Sequence, residues 1–283
     1  MQFPLLLLSI SAYSFQNVFR RKYSKCVTGG DFTFNAFMSL FATLYFIISA
    51  GELSFAWETV PYAILFAVCC GVTMVAILVS VREGSYALTN MIISYSLVIP
   101  TLFGPVFLGE KISYFAVAGI AVLLVSLYLV RAPKESTAAK PSAKWIIAIV
   151  LAFVSNGMCS VSQKLQQIGQ SSLYKNEFMI ISMAILTVAF FALSVIRERR
   201  TVKGISVFSA SLPAACGILN GVSNHMVLVL TGMMSTAIFF PLLSASSLVI
   251  SFILSLVFYK EKLLARQMVA AGMSILAIIL LNI

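Results

Sequence analysis

Phe107-Leu108-Gly109-Glu110-Lys111 follows the fourth long apolar run of this chain, and Phe258-Tyr259-Lys260-Glu261-Lys262 follows the ninth. Three further matches keep the same order. Cys70-Gly71-Val72-Thr73 is echoed by Asn220-Gly221-Val222-Ser223, Ser85-Tyr86-Ala87 by Ser235-Thr236-Ala237, and Pro61 by Pro213. All four pairs are 150 to 152 positions apart. One such match arises easily by chance; four in the same order point to an internal duplication.

The composition says what is duplicated. Of 283 residues, 60% are hydrophobic and 10% charged, and the mean hydropathy is +1.02. Soluble domains are about half apolar and about a quarter charged, so a soluble enzyme, a disordered protein and a coiled coil are excluded. Runs of about 20 apolar residues suffice to cross a bilayer. Ten are bounded by charge or turn residues, at 3–20, 33–51, 60–81, 86–108, 112–130, 145–164, 177–196, 205–230, 235–258 and 263–282. The one long polar connection, Arg131 to Lys144 with Pro133 and Pro141, separates five runs from five. The expected organisation is a first five-helix repeat at 1–131, a linker at 132–144 and a second repeat at 145–283. The fold class is all-α: a polytopic membrane protein of ten transmembrane helices.

An odd number of helices per repeat inverts the second copy relative to the first, a plan that recurs in secondary transporters. Charge agrees with inversion. Sixteen of the 19 Lys and Arg fall in connections 1–2, 3–4, 5–6, 7–8 and 9–10. The positive-inside rule then puts the linker 131–144 in the cytoplasm and both termini outside a multi-pass protein of the cell membrane. The first run is retained, since Arg20, Arg21, Lys22 and Lys25 follow it and no Lys or Arg precedes it, the reverse of a secretory signal. The net charge of +10 sits between apolar runs, where it meets lipid headgroups rather than nucleic acid. Five cysteines without CxxC spacing indicate neither a disulfide framework nor a metal site.

With these residues in view, the sequence resembles the drug/metabolite transporter superfamily, in its ten-helix EamA-type branch. The resemblance rests on the five-plus-five repeat and on a Glu after the fourth helix of each half, in Gly109-Glu110-Lys111 and Lys260-Glu261-Lys262. It rests also on a polar-then-basic end to each half's first helix, Gln16 to Arg21 and Ser162-Gln163-Lys164. It implies helices around a central cavity and alternating access. Familiar members often keep both termini in the cytoplasm, and this charge pattern departs from that. Small multidrug exporters of the superfamily carry a Glu in their first helix for proton coupling; the first and sixth runs here have no acid.

Polar groups in the bilayer core are costly, so those present need a reason. The candidate substrate-binding residues are Tyr13, Gln16 and Asn17 in the first run, Asn90 and Tyr95 in the fourth, and Asn156 and Ser160 in the sixth. Asn220, Asn224 and His225 follow in the eighth, and Ser244 and Ser247 in the ninth. Tyr13, Gln16 and Asn17 share a helical face at i, i+3 and i+4, as do Asn220 and Asn224. Two amide-bearing stripes suit a neutral or zwitterionic solute; the alternative is that they tie helices together. His225, the lone histidine, can carry a coupled proton or serve as a hydrogen-bonded neutral ring. Pro100, Pro105 and Pro241 kink their helices and are candidate gating points. Glu110, Lys111, Glu261 and Lys262 read as interface charges, either in a local ion pair or at the N-terminus of the next helix. Phe34, Phe37, Phe41 and Tyr45 form an aromatic stripe, read as packing or as a cation–π wall.

Enzyme chemistry lacks its parts: the nine acids lie near loops and the histidine has no partner. No catalytic residue, metal or cofactor is expected. The expectation is a secondary active transporter of small polar organic metabolites, such as amino acids, working by alternating access. Uptake of a quaternary amine, nucleoside, sugar or vitamin-like nutrient is the alternative. Its partners are the solute and membrane lipid; monomer and homodimer both fit.

Overall fold

A computed structural model describes residues 2–26, 30–52, 54–83, 92–93, 95–131, 142–168, 173–198, 207–259 and 265–281. Among them are ten α-helices and no strand. The helices are α1 (Gln2–Cys26), α2 (Asp31–Ala50), α3 (Val60–Glu83), α4 (Val98–Phe107) and α5 (Tyr114–Arg131) in the first half. The second half has α6 (Ala143–Gln166), α7 (Lys175–Arg197), α8 (Val207–Met233), α9 (Thr236–Tyr259) and α10 (Ala265–Leu281). Five are long and apolar enough to cross a membrane (α2, α3, α6, α7 and α8), and α4, α5, α9 and α10 contain shorter apolar helices. This is the pattern of a helical membrane protein.

Nine helices follow the expected runs to within a few residues, with α1 extending further, through Arg20-Arg21-Lys22. The fourth departs. Within the expected run 86–108, of which 86–91 and 94 lie outside the described residues, a 3-10 turn at Tyr95–Leu97 leads into the ten residues of α4. Pro100 is the cause. It has no N–H to give the Ser96 carbonyl, and its ring crowds that same carbonyl, four residues back. Thr101 adds to the bend, since its hydroxyl donates to Leu97 O at 2.7 Å.

The chain forms two compact units, residues 1–71 with 162–232, and 72–161 with 233–283. Each draws on both halves, and the chain passes from one unit to the other inside α3, inside α6 and at the last residue of α8. In the first unit α2 and α7 lie antiparallel. Phe37 meets Phe191 edge-on with centroids 5.5 Å apart, and Thr187 Oγ1 donates to Ser39 Oγ at 3.1 Å. In the second, α5 and α10 pair around Leu123, Leu127 and Ala277, joined by Leu97 and Ala245, while α4 packs on α9.

The energetics are those of helices in lipid. Apolar side chains remain on the outside: Val188 of α7 is 71% exposed and Ile279 of α10 53%. Small residues carry the contacts, with Ala36, Ala42, Ala63, Ala270 and Ala277 fully buried, because close approach and dispersion replace the hydrophobic drive between helices. Buried hydroxyls are met by their own helix four residues back, as Thr43 is by Ser39 O and Ser182 by Phe178 O.

Candidate functional site

In the first unit the polar residues collect on α1, α6 and α8. Gln163 Nε2 donates to Asn224 Oδ1 at 3.0 Å. Asn224 Nδ2 donates in turn to Asn220 Oδ1 at 3.1 Å and to Asn220 O at 2.9 Å. This ladder of three amides has a direction. It leaves Gln163 Oε1 as an acceptor at one end and Asn220 Nδ2 as a donor at the other. Side chains at i and i+4 on α8 supply the short rung, and α6 supplies the long one.

Gln16, on α1, is buried at 6% exposure. Its Nε2 points at Met38 Sδ, 3.3 Å away, and its Oε1 is sealed without a hydrogen-bond partner. The same residue's carbonyl faces Cys216 Sγ of α8 at 3.5 Å. Two turns away Ser9 and Ser223 bring their hydroxyls to 3.5 Å, so α1 and α8 run antiparallel here. Tyr13 is 52% exposed, turned away from this contact. Asn17 lies on α1, but its side chain is outside the described residues.

His225 stacks on Phe46 of α2 at 5.9 Å and meets Tyr45 edge-on at 6.3 Å, with its Nδ1 buried and unpartnered. The aromatic stripe of α2 is spent on neighbours. Arg20 places its guanidinium 5.4 Å from the Phe34 centroid, while Phe37 is packed on Phe191 and Tyr45 on Phe46. Beyond α8, Lys164 Nζ donates to Thr231 O at 3.0 Å, next to the last carbonyls of that helix.

A polar knot closes one end of this unit. Glu198, 7% exposed, accepts from Phe32 N at 3.0 Å, Thr33 N at 2.9 Å and Thr33 Oγ1 at 2.8 Å, capping the start of α2. Arg20 Nη2 donates to Asn35 Oδ1 at 2.8 Å. Tyr23, just past the first expected run, donates to Gly30 O. Burial, and then the negative charges of Glu198 and Asp31, push its hydroxyl up to about 12.

In the second unit Asn156 Nδ2 donates to Ser96 Oγ at 2.6 Å, and Tyr95 Oη donates to Leu124 O at 3.0 Å. Both bonds hold the 3-10 turn before α4. Ser160 is half-buried on α6 and Ser244 on α9; Pro100 and Pro105 lie in α4 and Pro241 in α9. Asn90 and the Ser247 side chain are outside the described residues. Thus Tyr13, Gln16, Asn17, Asn220, Asn224 and His225 belong to one unit, and Tyr95, Asn156, Ser160, Ser244 and the three prolines to the other.

Glu110 corrects the expectation for its motif. It caps a helix start, but that of α9 rather than of the next helix, accepting from Ser235 Oγ at 2.7 Å, Thr236 N at 2.8 Å and Thr236 Oγ1 at 2.8 Å. Gly109, at φ +64°, turns the chain out of α4. The carboxylate then folds over Gly104, where any side chain would collide with Glu110 and Thr236.

Sequence reasoning missed Gln163 as a site residue, reading it only as part of a helix-end motif. Its spacing from Asn156, i+7, was the available signal. Glu198 was missed as a buried acid because only its position after an apolar run is visible in the sequence.

No family model and no curated protein matches this chain. Among solved structures 28 chains match. One of them, described as a crystal structure of a protein, aligns with a TM-score of 0.79 over 99% of this chain and 95% of its own, at 13% identity. At that identity the likeness is one of fold.

Proposed function

We propose that this protein is a secondary active transporter of small polar organic metabolites, neutral or zwitterionic like amino acids. It works by alternating access in the cell membrane. The observation that carries the reading is the ladder Gln163–Asn224–Asn220, a run of amides with an open acceptor end and an open donor end inside an apolar helix bundle. Such a pair of ends complements a solute bearing both a donor and an acceptor.

The proposed architecture is two inverted five-helix repeats, 1–131 and 145–283, of the EamA type, with both termini outside and the linker 131–144 inside. The helix pairings support duplication: α2 with α7, α4 with α9 and α5 with α10 are each a helix and its counterpart five places on. His225 is the candidate coupling group. Its replacement by Asn or Gln then removes the pH dependence of transport and spares solute binding; an unchanged pH profile excludes that role.

The deciding experiment is a thermal-stabilisation screen of the purified protein against amino acids, nucleosides, sugars, vitamins and quaternary amines. A native-state ligand stabilises by RT ln(1 + [L]/Kd), so millimolar binders register at high concentration. A hit in one class that weakens in Asn220→Ala supports the reading. Failure of every class overturns the amides as a solute site.

A further inference from the structure

Three features of the second unit converge on the start of α4. Pro100 withholds the N–H that the Ser96 carbonyl needs, so regular α-winding stops at Tyr95–Leu97. From α6, Asn156 donates to Ser96 Oγ at 2.6 Å, on the turn itself. The next residue, Gly157, lets α6 close onto Ile99: a Cβ there would stand 2.5 Å from Ile99 Cδ1. At the far end of α4 the chain turns at Gly109, and Glu110 grips Ser235 and Thr236 at the start of α9. A short 3-10 stretch between helical residues, here Ile92-Ile93 before it and α4 after it, is a recurrent hinge element, and discontinuous helices recur around the sites of transporters.

We infer that the entry to α4 is a latched joint. Pro100 sets where the helix breaks, and Asn156 holds the break at its present angle. Glu110 ties the ten residues Val98–Phe107 to α9, so that α4 and α9 swing together when the Asn156–Ser96 bond opens. Tyr95, bonded to Leu124 O, and Leu97, in the core with Leu123 and Leu127, fix the axle on α5. Asn156 is therefore a positioning residue that acts through Ser96. The inference takes its purpose from the transport reading, while its test uses no solute and stands whichever way the ligand screen falls.

The test is hydrogen–deuterium exchange by mass spectrometry on the full-length protein in nanodiscs, comparing wild type, Asn156→Ala and Pro100→Ala. Loss of one hydrogen bond in a closed state raises the opening constant by about three- to ten-fold. Asn156→Ala is expected to speed exchange of the amides of 95–101 by that factor and to leave α5 and α10 as they were. Pro100→Ala, which restores an N–H to the Ser96 carbonyl, is expected to slow exchange in the same peptide. The opposite signs separate a joint from general loosening. Unchanged exchange at 95–101 in either variant overturns the proposal, as does an equal rise across α5 and α10 in Asn156→Ala.

Discussion

Ser126 and Ser274 hold their hydroxyls 2.8 Å apart, and they are 148 positions apart in the chain. Thr187 and Ser39, in the other compact unit, are hydrogen-bonded at 3.1 Å and are also 148 apart. Each bond joins a helix to the one five places further along the chain, α5 to α10 and α2 to α7. The two contacts support the duplication proposed from the sequence, on residues that none of the four sequence matches includes.

Ala270 O lies 2.8 Å from Ser126 Oγ and 3.0 Å from Ser274 Oγ, so one hydroxyl donates to that carbonyl while the other donates to its partner hydroxyl. In a double-mutant cycle with alanine, each single change is expected to cost about 0.5–1.5 kcal/mol, and the double change less than their sum. Denaturant unfolding in detergent reads the coupling. Strict additivity would show that the two hydroxyls do not interact.

Gly104→Ala is expected to lower stability by about 1–3 kcal/mol, since the new methyl strikes Glu110 and Thr236 Oγ1. In a Glu110→Ala background the same change costs less, because one of the two obstacles has gone. The rescue is partial, as Thr236 stays in place. Thermal midpoints of the four proteins check this, and equal costs in both backgrounds would rule out the clamp.

Asn220 and Asn224 are expected to separate binding from stability. Asn224 holds both rungs of the ladder, so Asn224→Ala loosens the fold by about 1–3 kcal/mol and also weakens solute binding. Asn220→Ala removes the open donor at the end and costs about ten-fold in solute affinity with little change in the thermal midpoint. Titration of the screened solute against both variants decides it.

Tyr23 sets an alkaline limit. Its hydroxyl is raised from 10.0 to about 12 by burial and by Glu198 and Asp31, so the folded state keeps the proton that the unfolded chain gives up. The stabilisation is complete below pH 10 and is lost as pH climbs from 10 to about 12. Unfolding midpoints across that window are expected to fall more steeply in wild type than in Tyr23→Phe. Parallel curves would show that Tyr23 titrates like an exposed tyrosine.

Ten apolar runs were readable because a helix of a membrane protein stays apolar around its whole circumference, so hydropathy alone marks it. Even α5 and α10, mostly Val, Leu, Ile and Ala, announce themselves in this way. The partners of the polar residues were not readable. Pro100 was marked as a kink, yet the turn at Tyr95–Leu97 takes its support from Asn156, 60 residues later. Glu110 was recognised as a helix-start charge, but its helix begins 126 residues on. Asn220 and Asn224 stood out by their spacing; that Gln163 completes their ladder depends on how α6 lies against α8. Periodicity within a helix is local, and which helices touch is not.

Glu198 caps α2, Glu177 accepts Ser54 N at 2.9 Å ahead of α3, and Glu110 caps α9. Each carboxylate comes from the opposite half of the chain to the segment it secures. A ribosome that has made only the first 141 residues has therefore inserted α2 into the bilayer without the acceptor for its leading amides. That acceptor arrives when residue 198 is translated. Maturation of the early helices has to wait for the late ones, and a nascent chain stalled at the linker would present the quality-control machinery with an unfinished helix end.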